Sequence, residues 1–171
     1  MKSEGVSEKK PRLLLIGVGN QYRKDDAAGL IVVRSLKNQA PAFLEIIEES
    51  GEGASLMERW REVDGVIMVD AVSSGAPPGT IHRLDARRQS IPTDFFSYST
   101  HAFSVAEAVE MARILDQLPP RMIIYGIEGE SFKFGTGLSP ALESAVPQVA
   151  ESILNDVEIM SKETERKQER L

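Results

Sequence analysis

The chain contains no cysteine, which removes disulfides, thiolate metal sites, iron–sulfur ligation and cysteine nucleophiles together. It has no long hydrophobic run: Met1 to Arg12 is polar and charged, and the first apolar stretch, Leu13 to Gly19, is too short for a membrane span or a signal h-region. A cytoplasmic protein is therefore expected. Histidine occurs only at positions 82 and 101, and tryptophan only once. Positive charge is in deficit, with a net charge of −6 and basic residues dispersed or confined to the tails. That argues against nucleic acid as a partner, because phosphate-backbone affinity comes from clustered Lys and Arg. Low-complexity tracts and internal repeats are absent, as is any extra apolar segment that would demand a second subunit, so a monomer is expected.

What is present is the composition of a globular protein, 42% hydrophobic and 27% charged. At 171 residues, one domain can bury roughly 70% of the surface that its unfolded chain exposes. The expected layout is a flexible tail over 1–12, one α/β domain over 13–161 and a charged tail over 162–171. LLLIGVGN, Leu13 to Asn20, reads as a strand buried on both faces of a parallel sheet. Asp25 and Asp26 stand where an N-cap belongs, ahead of a helix running to about Asn38. Phe43 to Glu49 is a second strand, Ala54 to Glu62 a short helix, and GVIMVDAV, Gly65 to Val72, a third, fully buried strand.

The turn SSGAPPG, Ser73 to Gly79, leaves too little chain for a helical crossover, so the alternating fourth strand, Thr80 to Ala86, is predicted antiparallel at a sheet edge. Ser104 and Glu107 spell a capping box for a helix reaching about Leu118, with His101 just before or within its first turn. Arg121 to Gly126 is a fifth strand. Ser139 and Pro140 open a last helix, expected to be interrupted or kinked at Pro147 and to fray or extend over Lys162 to Leu171.

Ligand sites in open α/β sheets form beyond the carboxyl ends of parallel strands. Asp26 follows strand one, Asp70 ends strand three and His101 precedes the helix leading into strand five. Two carboxylates and an imidazole make a mixed O/N set with open positions, suited to a borderline divalent ion such as Ni²⁺ or Zn²⁺. A helix N-terminus would favour the neutral imidazole that coordinates. Either aspartate of the pair can instead be a plain N-cap while the other faces outward. Asp70 is harder to dismiss, because an acid ending the run Val66 to Val69 is costly to bury unless paired, hydrogen-bonded or metal-bound. His82 is expected to have no functional role, sitting in an edge strand with no acid placed to work with it.

The Gly17 and Gly19 turn fails as a dinucleotide fingerprint, since Tyr22 occupies the third small position and the aspartates would repel a pyrophosphate. No P-loop, H-E-x-x-H helix or nucleophile elbow occurs. An aspartic-protease-like pair of Asp26 and Asp70 would leave His101 unexplained.

Together, GVGNQYRKDDAAG at Gly17 to Gly29, the aspartate of VDAV at Asp70, STHAFSVAEAV around His101, and GIEGESFKFGTGLSPALESAVP at Gly126 to Pro147 resemble the maturation endopeptidases of nickel-iron hydrogenases. The resemblance spans nearly the whole chain apart from its tails. It implies a three-layer α/β/α sandwich around a five-stranded, mostly parallel mixed sheet with the fourth strand antiparallel. It also implies removal of a C-terminal extension from a nickel-loaded [NiFe]-hydrogenase large-subunit precursor. The family's metal-contacting positions fall on Asp26, Asp70 and His101, which would be catalytic, and the nickel would arrive with the substrate. The sequence departs from the family pattern at Ala27, where Gly commonly follows the acid, and it carries Asp rather than the Glu of some members at that acid.

On this reading the ion would polarise the scissile carbonyl or acidify a water. Gly126, Gly129, Gly135 and Gly137 would bind the extended tail or an oxyanion through their backbone, or else belong to a surface loop. Three competitors stand beside it. One is a non-catalytic metal-binding chaperone for the same precursor. Another is a nucleotide-binding oxidoreductase using Glu48 or Glu49. The third is a related hydrolase acting on another peptide or a nucleoside.

Overall fold

The computed structural model describes residues 10–96 and 99–170. The expected N-terminal tail therefore lies outside the described residues up to position 9, as does Leu171 at the other end. Arg12 is anchored, its backbone N–H donating to Asp64 Oδ2 at 2.7 Å.

Five strands, β1 (Leu13–Val18), β2 (Leu44–Glu49), β3 (Gly65–Val72), β4 (Ile81–Asp85) and β5 (Arg121–Glu128), form one sheet in the order β2-β1-β3-β5-β4. All pairs are parallel except β4 with β5. The apolar runs in β1, β3 and β5 are the inner strands, buried on both faces as a doubly covered parallel sheet requires. Among the described residues, the α-helices that cover it are α1 (Ala28–Leu36), α2 (Gly53–Arg59), α3 (Val105–Ile114) and α4 (Pro140–Gln168). One core layer joins α1 and α4 to the sheet through Val32, Leu36, Leu142, Val149 and Ile153. The other joins α2 and α3 through Leu56, Val105 and Val109, with Trp60 beside them. The result is the three-layer α/β/α sandwich, antiparallel fourth strand included.

Local details depart from the sequence reading where tertiary contacts override local signals. Neither Asp25 nor Asp26 caps α1; both lie in a 3₁₀ turn, Lys24–Ala27, and the cap residue Ala27 makes no side-chain bond. The N-cap of α2 is Glu52, whose carboxylate accepts from the N–H groups of Ala54 at 3.0 Å and Ser55 at 2.8 Å. That helix stops at Arg59, short of Glu62, which has a left-handed φ of 55°. Helix α3 likewise stops at Ile114 rather than Leu118, with Asp116 at φ 54°.

Pro147 does not interrupt α4, which is continuous through it and onward through the charged segment to Gln168. An interior proline costs about 3 kcal/mol. The buried face of α4, which includes Leu142, Val149, Ile153, Val157 and Met160, offsets this at about 1.5–3 kcal/mol for each large apolar side chain.

Close packing of α1 on the sheet sets the first loop. A Cβ on Gly17 would lie 2.5 Å from Val33 Cγ2, and one on Gly29 would lie 2.3 Å from the Val69 carbonyl oxygen. Only glycine at both positions lets helix and strands approach this closely, and the loop between them inherits that geometry.

Candidate active site

The carboxyl ends of β1 and β3 open onto a cleft lined by Val18, Asn20, Arg23, Asp26, Ser50, Gly51, Asp70, Phe96, Ser99–His101, Ser104 and Val105. Asp26, Asp70 and His101, from three separate segments, all border it.

Asp26 is positioned by backbone contacts on both sides. Its N–H donates to the Arg23 carbonyl at 3.1 Å, and its own carbonyl oxygen lies where a Cβ on Gly19 would approach to 1.9 Å. Gly19 has φ +153° and ties the loop to β2 by donating to the Glu49 carbonyl at 3.0 Å. Asp70 stands in β3 opposite Gly126 of β5, just past the last pair that β3 makes with β1, Gly17 with Val69. The sheet thus splits at Asp70, and strand splitting is what opens a crevice at a carboxyl edge.

His101 lies in the loop ahead of α3, outside the helix, with its N–H donating to Ser99 Oγ at 3.2 Å. Two devices fix that loop. Gly53 N–H donates to the Phe103 carbonyl at 2.8 Å, and the predicted Ser104–Glu107 capping box forms. The Ser104 hydroxyl bond is the main cause of a Glu107 pKa below the ordinary carboxylate value. Glu52 is also held below its ordinary value, mainly by the Ala54 and Ser55 N–H bonds and in smaller part by nearby His101.

Asp26 and Asp70 are only 7% and 4% exposed. Among the described residues no buried side-chain nitrogen or oxygen lacks a hydrogen-bond partner, so the desolvation of these acids is compensated within the protein. Nor are any three His, Asp or Glu side chains among them grouped closely enough to hold a metal ion by themselves. The donors border a shared cleft without forming a closed cage, an arrangement that can add O and N ligands to an ion whose remaining ligands come from another molecule.

The four glycines expected to bind substrate do not line this cleft. Gly126 is inside β5, where a Cβ would meet Val72 Cγ1 at 2.8 Å, and Gly129 is covered by the Phe132 ring. Gly135 and Gly137 belong to the loop between β5 and α4, and Gly137 borders a separate depression beside Asp25.

His82 needs correction, since an acid does stand beside it. Its Nε2 lies 3.2 Å from Oε2 of buried Glu128, which also accepts from Ser74 N–H, Ser74 Oγ–H and Gly75 N–H. Strand β5 runs two residues beyond Gly126, and the antiparallel register places His82 opposite that glycine. The β3–β4 turn is anchored in this way. Glu48 and Glu49, the acids of the nucleotide-binding alternative, pair with Arg34 and Arg59.

Sequence reasoning passed over Gly51, Ser99 and Thr100. Gly51 was findable, since it follows β2 at the same carboxyl edge. A Cβ there would sit 3.0 Å from Val18 Cγ1 and 3.9 Å from His101 Cδ2, so any side chain would encroach on the cleft.

Comparison with known proteins supports the fold and shows the family. Residues 30–156 match the hydrogenase maturation protease family. The chain is 29% identical over 147 residues to the hydrogenase 2 maturation protease of Escherichia coli K12, covering 84% of this chain and 88% of that one. Among solved structures, the E. coli hydrogenase maturating endopeptidase HybD superposes with a TM-score of 0.72 at 25% identity, over 86% of this chain and 92% of that one. An E. coli endopeptidase solved in solution gives 0.73 at 28% identity, over 84% and 90% of the two chains. With its fold and these relatives in agreement, the chain belongs to the hydrogenase maturation proteases, a family of peptidases.

Proposed function

We propose that this protein removes the C-terminal extension of a [NiFe]-hydrogenase large-subunit precursor after nickel has been loaded. The nickel is part of the substrate, and Asp26, Asp70 and His101 are the side chains that it meets. The observation that carries this reading is the arrival of two buried carboxylates and one imidazole, from three segments, at one cleft on the carboxyl edge of the sheet. Oxygen and imidazole donors suit nickel. Because these donors do not make a complete cage alone, an ion held by the precursor's own ligands is what brings them into one coordination sphere. Nickel-free precursor lacks that interaction, and selectivity follows as a difference in affinity between the two forms.

Docking of the ion sets the adjacent peptide bond beside the cleft and makes its hydrolysis effectively intramolecular. The ion supplies Lewis-acid activation of the carbonyl or of an attacking water, so no protein nucleophile is required. Asn20, Ser99 and Thr100 provide hydrogen-bonding groups along the same wall.

The test is intact-mass spectrometry of precursor incubated with the protein, with and without nickel. Loss of a C-terminal peptide only from the nickel-loaded form is expected. Equal cleavage of both forms overturns the nickel requirement. Binding without any change of mass would instead identify a non-catalytic chaperone.

A further inference from the structure

Two loops meet beside the cleft. The first, after β1, carries Tyr22, Arg23 and Lys24, and the second, between β5 and α4, carries Lys133, Phe134 and Gly135. A parallel bridge between Arg23 and Gly135 joins them: Lys24 N–H donates to the Gly135 carbonyl at 3.0 Å, and Gly135 N–H to the Tyr22 carbonyl at 2.9 Å. Arg23 Nε donates to the Phe132 carbonyl at 3.2 Å. Beneath them Asp25, fully buried, accepts from the N–H groups of Glu130, Ser131 and Ser139 and from Ser139 Oγ–H, at 2.7 to 3.0 Å. The pair of loops is a braced lip.

On that lip Phe134 is 88% exposed and Tyr22 61% exposed. Rings so exposed return little to folding. Displayed on fixed backbone, they are the low-entropy aromatic anchors on which binding energy concentrates. Charge singles out the same place. Arg23, Lys24 and Lys133 stand together here, and none of them makes an ion pair among the described residues, on a chain whose net charge is −6. Of the acids in these two loops, Asp25 is committed to its four bonds and Asp26 faces the cleft, which leaves Glu130 as the exposed acid against three cations. Arg23 also lines the cleft, so lip and cleft are continuous.

We infer that this aromatic, cationic lip is the docking surface for the precursor's C-terminal extension. An apolar side chain of the extension packs on Tyr22 and Phe134, and its carboxylate charge, which always includes the chain's free C-terminus, faces Lys24 and Lys133. The inference rests on the precursor being the substrate, as proposed above, and it adds recognition of the part that is discarded.

Biolayer interferometry with nickel-free precursor and with the shortened mature large subunit separates the two claims, because it reads binding without cleavage. The wild-type protein should bind precursor at least tenfold more tightly than the mature subunit. Tyr22→Ala with Phe134→Ala should abolish that preference, and KM for nickel-loaded precursor should rise about tenfold. Lys133→Glu, a surface change with no packing consequence, should weaken precursor binding and flatten its dependence on salt. Unchanged preference in both variants overturns the lip. So does a wild-type dimer that the aromatic double variant converts to monomer, which would assign the rings to self-association. Failure of the wild-type protein to cleave nickel-loaded precursor counts against the proposed function and is read separately, by mass.

Discussion

Asp25 and Asp26 are neighbours of identical chemistry, both buried, yet they face different regions. Asp25 accepts four hydrogen bonds from the loop between β5 and α4, using both oxygens, and Ser139, the cap residue of α4, supplies two of them. Asp26 lines the cleft with Asp70 and His101. A 3₁₀ turn makes this division possible, because its tight winding sends successive side chains in different directions. One carboxylate is spent on architecture, and its neighbour borders the cleft.

Removing the cleft donors should have the largest effect. Asp70→Asn and His101→Ala should each slow cleavage of nickel-loaded precursor by on the order of 10²–10³-fold, read by mass spectrometry over time, while the far-ultraviolet circular dichroism spectrum stays unchanged. Asp26→Asn should follow them. Asp25→Asn should not, and equal losses at the two positions would erase the distinction drawn here.

Gly19→Ala tests whether Asp26 depends on its support. A methyl group cannot occupy a point 1.9 Å from the Asp26 carbonyl oxygen, so the loop must shift, and cleavage should fall about 10²-fold through misplacement alone. Asp25→Ala probes the other region. It strips the acceptor from three backbone N–H groups, and the expected loss is about 3 kcal/mol, seen as a drop of about 10 °C in thermal midpoint.

The smallest effect concerns the loop that carries His101. The Ser104 hydroxyl lowers the pKa of Glu107, so the capping box contributes its full stability above the ordinary carboxylate value of about 4.5 and loses it as the pH falls through the lowered folded value. Glu107→Gln should flatten the acid limb of the stability profile and move the midpoint at neutral pH by only about 1–2 °C.

Much of this was written in local pattern. Unbroken apolar runs in β1 and β3 announced strands covered on both faces, and the brevity of the Ser73–Gly79 turn forced β4 to run antiparallel. Asp70 and His101 were legible because each stands where a strand or helix boundary meets the carboxyl edge. The long-range partnerships were not. The Asp25 carboxylate and Ser139 are far apart in the chain, and so are His82 and Glu128. No spacing rule reaches across such intervals, since the pairing follows from sheet register and loop closure.

The amino-acid order alone fixed the α/β class, the strand directions and the chemical types available at the site, because hydrophobic periodicity, turn length and residue identity are local properties; the three-layer arrangement was implied by the family resemblance. Only the tertiary structure decided which of two adjacent aspartates faces the cleft. It also decided that His82 has an acid partner and that two distant loops lock into a lip beside Arg23. Those outcomes depend on backbone approach at ångström scale, enforced by glycines whose missing side chains leave room for it.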